Sequence, residues 1–115
     1  MDKRWYCAEL IYCIGNEGGV AKFDKQRKWI AAQSAREAYQ TSLIMASREL
    51  DLHATTNQVW EFAGLGLLEP AVQSNNAPDT ENSEYSFADR EDAKAHLLFL
   101  REQHAGIQFQ VSLSA

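Results

Sequence analysis

The sequence predicts an α+β domain: an antiparallel sheet of four or five strands with two helices packed mainly on one face, in the order ββαββα(β). Three observations predict it. Extended stretches rich in aromatic and branched residues occur at 4–14, 23–32 and 58–68. Two other stretches repeat apolar residues at helical spacing behind a capping signal. Segments bearing glycine, proline or asparagine separate the pieces. At 115 residues the chain is expected to form one domain over 1–115, burying roughly two-thirds of its unfolded surface.

The first strand, RWYCAELIYC, is apolar on both sides. Tyr6, Ala8, Leu10, Tyr12 and Ile14 line one face; Trp5, Cys7, Ile11 and Cys13 line the other, with Glu9 in the middle. Such a strand is central in its sheet, or is covered by helices on one face and by a second subunit on the other. Glu9 then needs a partner or partial exposure, and Arg27 on the next strand is a candidate cross-strand partner. Cys7 and Cys13 share a face but stand roughly 20 Å apart along a strand, too far for a disulfide or a shared ion. They read as small apolar core residues.

GNEGG, residues 15–19, is a turn leading into the second strand, Phe23 to Ala32. Ser34 and Glu37 form a capping box that opens a helix running to about Leu50, with Ala35, Tyr39, Leu43, Ala46 and Leu50 as its apolar stripe. Ile44 falls on the opposite, exposed side. The third strand spans Gln58 to Leu68, placing Trp60, Phe62, Gly64, Gly66 and Leu68 on one face, and its glycines predict a bulge or a close backbone approach. Residues 70–83 hold both prolines and form a flexible loop. Glu84 to Phe87 is a short strand. Asp89 caps a second helix that ends near His104, with Gly106 just past its end. IQFQVSLS, residues 107–114, alternates apolar and polar strictly, so 107–115 reads as a C-terminal strand or tail.

Net charge is −5, unevenly placed. Residues 1–36 carry seven bases against four acids, and the remainder twelve acids against four bases. That balance argues against nucleic acid, although AKFDKQRKW at 21–29 interleaves basic and aromatic residues. No apolar run reaches the roughly 18 residues of a membrane span, and Glu9 interrupts the one stretch that imitates a leader. The expected residence is cytoplasmic.

No catalytic or metal motif stands out. GNEGG leads into a strand, so no helix N-terminus follows to hold a phosphate. His96 and His104 lie about 12 Å apart along one helix, and His53 is alone in a loop. No serine sits in a nucleophile elbow. The reading is therefore not an enzyme, with no cofactor, no catalytic residue and no metal ligand.

The order of small motifs carries a resemblance. WY-x-A (Trp5, Tyr6, Ala8) is followed by FD-x-Q (Phe23, Asp24, Gln26), an S-x-x-E-A helix start (Ser34, Glu37, Ala38) and W-x-F-x-G (Trp60, Phe62, Gly64). Glu84, Tyr85, Ser86, Glu91, Asp92 and Ala93 close the series. From Trp5 to about Ile107 the chain resembles the small bacterial proteins grouped as domain of unknown function 4288. The resemblance implies a small α+β domain and brings no catalytic residues. Arg27 and Trp29 depart from it where aliphatic residues are usual, and Glu9 where a basic residue is common.

The expectation is a non-catalytic interaction module that forms a homodimer through its sheet face or its C-terminal strand, with Phe109 and Val111 as self-association residues. The alternative is a small-molecule-binding protein with an aromatic-lined pocket between sheet and helices, built from Tyr12, Trp29 and Trp60 with Arg27 as its charged anchor.

Overall fold

The computed structural model describes residues 3–15, 21–71 and 81–113. The turn expected at 15–19 lies outside the described residues apart from Gly15, and so does 72–80 of the loop expected at 70–83. The remainder is an α+β arrangement of four strands and two helices: β1 (Arg4–Gly15), β2 (Lys22–Ala32), α1 (Ala35–Leu52), β3 (Val59–Pro70), β4 (Glu81–Ser86) and α2 (Arg90–Leu113). The strands form one antiparallel sheet in the spatial order β3-β1-β2-β4. β1 is central, one of the two placements its apolar faces allow.

The β1–β2 register places even-numbered residues opposite even-numbered ones, Tyr6 facing Ile30 and Tyr12 facing Asp24. One sheet face therefore collects Tyr6, Ala8, Leu10, Tyr12, Ile30 and Ala32 under Ala38, Tyr39 and Ala46 of α1. The other face collects Ile11, Cys13 and Phe23 under Ala93 and Leu100 of α2. Leu10 and Ile14 lose essentially all their solvent exposure, worth about 2 kcal/mol each by transfer. Cys7 and Cys13 are buried free thiols, and burial pushes both above the usual thiol range.

Both helix starts follow from local chemistry. The Ser34 hydroxyl accepts the Glu37 N–H at 3.1 Å, while the Glu37 carboxylate reaches back to the N–H of Gln33. Asp89 accepts the Glu91 N–H at 2.8 Å. The buried row of α1 is Ala38, Tyr39, Ser42 and Ala46, with Leu43 at the surface, so the helix is rotated from the expected stripe. Ile44 is exposed, as expected.

β3 carries two irregularities, one between Glu9 and Leu10 of its partner and one between Ile11 and Tyr12. Each resets the alternation. Gly64 consequently opposes Ile11, and Leu65 opposes Leu10 on the first face. The glycine-marked bulge is present, but Gly64 does not share a face with Trp60 and Phe62 as simple alternation predicts.

The largest departure is at the C-terminus. Residues 107–113 are helical, α2 continues through Leu113, and no fifth strand is present among the described residues; 114 and 115 of the strand or tail expected at 107–115 lie outside them. The alternation is real but ambiguous. Ile107 and Val111 are one i, i+4 pair, and Phe109 and Leu113 are another on the opposite side of the same helix. Ile107 and Val111 pack into the first core, which offsets the roughly 1 kcal/mol that Gly106 costs a helix interior.

Nor do both helices lie mainly on one face. The first half of α2 covers the second core, and its last turns join the first, so it passes over the outer edge of β3. The crossing point is Gly64, at φ +139°, where a Cβ would stand 2.8 Å from the Cβ of His104 and 3.2 Å from the carbonyl oxygen of Leu100. The Leu65 N–H donates to His104 Nδ1 at 3.0 Å, which leaves the ring proton on Nε2 to meet the Tyr39 hydroxyl at 3.2 Å. No helix among the described residues is long and apolar enough to cross a membrane.

Candidate functional site

The four residues expected to share an aromatic pocket are split by the register. Tyr12 and Trp60 lie on the first face, Arg27 and Trp29 on the second. The sheet stands between them, so no single ligand meets all four.

On the first face, His53 lies flat on the Trp60 indole at 3.6 Å and 4°, and Tyr12 tilts against the same ring at 5.7 Å. Glu49 holds this end of α1 to the sheet: its Oε1 accepts from Gln26 Nε2 at 2.9 Å and sits 3.3 Å from His53 Nε2. The Gln26 hydrogen bond holds Glu49 below the usual carboxylate range, while burial pushes Asp24 above it and raises the Tyr12 phenol. A ligand would find one side of the indole already taken. This is a packed polar corner, and among the described residues no group of three or more His, Cys, Asp or Glu is placed to hold a metal ion.

On the second face, the expected pairing of Glu9 with Arg27 is realised. Arg27 Nη2 lies 3.1 Å from Glu9, and its Nη1 lies 3.0 Å from Glu81. The Glu9 hydrogen bond raises the guanidinium further, so Arg27 is engaged by two carboxylates rather than held ready as an anchor. A cavity of about 350 Å³ opens here, lined by Glu9, Lys25, Arg27, Glu81, Asn82 and Ser83. Its two cations and two carboxylates balance, so the lining carries no net charge to attract an ion. A cavity of about 320 Å³ between helices and sheet is lined by Ala35, Leu68, Gln103, Gly106, Ile107, Gln110 and Val111, without an aromatic ring.

The two expected self-association residues also separate. Val111 is buried against the first core; Phe109, three-fifths exposed, points away from it. Phe109 is not isolated. Leu98 is 63% exposed, Phe99 56%, Phe109 63% and Leu113 70%, all on α2. Ala95, Phe99, Glu102, Gly106, Phe109 and Leu113 recur at spacings of four and three in alternation, forming one outward stripe, and every one is exposed. Leu98 and Ala105 flank it. The inner side of the helix carries Ala93, Leu97, Leu100, His104, Ile107 and Val111. α2 is thus apolar on two opposite sides, and the fold covers only one.

The four large side chains leave roughly 500 Å² of apolar surface in water, at the upper end of what a monomer exposes in one patch. A reading that ends the helix at His104 leaves Leu113 off it and cuts Leu98 and Phe99 from the rest of the stripe. The alternating spacing from Ala95 to Leu113 is the signal that finds them. Comparison with protein-family models, curated proteins and solved structures returns no match to the chain.

Proposed function

We propose that this protein is a non-catalytic interaction module that forms a homodimer through the outward face of α2. The observation that carries the reading is four large apolar side chains, each more than half exposed, on the side of α2 that faces away from both cores. Two copies meeting there would bury about 1,000 Å² in total, the lower bound for a specific interface. The sheet face is the weaker candidate, because its Trp5 and Trp29 are already half-buried within one chain. Membership of the bacterial family named above and a cytoplasmic residence belong to the same proposal.

Light scattering tests it. The native chain should show about twice its 13.0 kDa mass at micromolar concentration. Phe99→Glu and Phe109→Glu should each return it to a single mass, and Phe109→Glu should do so without lowering the Tm of the monomer, since that ring is 63% exposed. A native chain of single mass, or a dimer indifferent to both substitutions, defeats the proposal.

A further inference from the structure

We infer that the two α2 helices pair antiparallel about a two-fold axis between Glu102 and Gly106, an arrangement that rests on the self-association proposed above. The stripe reads the same in both directions, with gaps of four, three, four, three and four residues from Ala95 to Leu113. Reversing one helix about the middle of the stripe therefore lays each member on another: Phe99 on the partner's Phe109, Ala95 on the partner's Leu113, Glu102 on the partner's Gly106.

The chemistry of these pairs matches. A small residue receives a large one at the ends, and aromatic rings meet at 99 and 109, where paired rings add to the burial they share. At the centre, Gly106 has open space where a Cβ would stand, with nothing within 4 Å. A glycine in mid-helix is costly unless something approaches it closely. The stem of Glu102 from the facing helix fits over that gap while its carboxylate reaches the rim.

A parallel pairing lays every stripe residue on its own copy. Glu102 then confronts Glu102 in an apolar seam, a like-charge contact that disfavours the arrangement. Two glycines also face each other across a void. Antiparallel helices further set opposite dipole ends together. The alternation of four and three is the spacing that packs helices at about 20°.

Single-cysteine exchange distinguishes the arrangements, with Cys7 and Cys13 left in place because both are buried. Glu102→Cys and Gly106→Cys chains are oxidised separately and as an equimolar mixture, with the native chain as control. The mixture should yield a disulfide-linked species of doubled mass at least fivefold above either variant alone. Self-linking of Glu102→Cys as strong as in the mixture indicates parallel helices and overturns the inference. So does the lack of any link in a chain whose native mass is doubled, which leaves dimerisation standing through another surface. A native chain of single mass overturns dimerisation itself, and the pairing with it. Glu102→Leu supplies a second reading: removing the one charge from the stripe should lower the dimer dissociation constant about tenfold, as for a polar residue at a seam position, and a raised or unchanged constant counts against the pairing.

Discussion

The two edges of the sheet solve the same problem in different ways. An edge strand presents unpaired backbone groups that invite another strand. At β3 a helix lies across the edge, and His104 takes the Leu65 N–H. At β4 no strand or helix among the described residues pairs with the outer side; the strand is six residues long and its side chains other than Tyr85 are exposed. Tyr85 fastens it inward, stacking on Phe23 at 5.4 Å and meeting His96 Nε2 at 2.6 Å through its hydroxyl. A covered edge needs residues shaped for the cover, whereas a bare one needs brevity and charge. The covered edge should be the more sensitive to substitution.

The strongest way to break that contrast is Gly64→Val. Its φ of +139° excludes a branched side chain, and the new Cβ would collide with both His104 and the Leu100 carbonyl. Urea denaturation should show a loss of about 4 kcal/mol, and a loss below about 1 kcal/mol would mean that α2 does not seat on Gly64. Next comes His104. Its replacement by alanine leaves the Leu65 N–H without an acceptor and should cost about 2 kcal/mol at pH 7.5.

The same histidine sets a pH dependence. Burial holds His104 and His96 below the usual value of 6.5, so the unfolded chain takes up their protons first. Stability from both groups is complete above about pH 6.5 and declines as the pH falls below it. His104→Gln should flatten the decline measured between about pH 6.5 and 5, where carboxylates contribute less. At the bare edge, Glu84→Gln breaks only the exposed Lys22 pair at 3.6 Å, and a change under about 0.5 kcal/mol is expected.

What could be read from the sequence was whatever neighbours decide. The caps at Ser34 and Asp89 depend on residues two or three positions away, and both form. The centrality of β1 and the pairing of Glu9 with Arg27 follow from composition on one strand and its neighbour. The rest required knowing what lies opposite. The pairing of Glu9 with Arg27 already implies that Arg27 stands on the face opposite Tyr12, so a pocket holding both conflicts with that pairing, and the register decides for the pairing. The bulges in β3 reset its faces without a sequence count to show it. In IQFQVSLS, four apolar residues at every second position satisfy a strand and also two sides of a helix. The preceding turns of α2, already committed to the β3 edge, decide for the helix.

The passage of α2 from one core to the other makes it a brace as well as a cover. Each of its halves is anchored in a layer that the sheet otherwise keeps apart. Detaching the middle of this helix would wet both layers together, so its central amides should exchange with deuterium only when the whole molecule opens. A domain built this way has few half-unfolded states in which to linger.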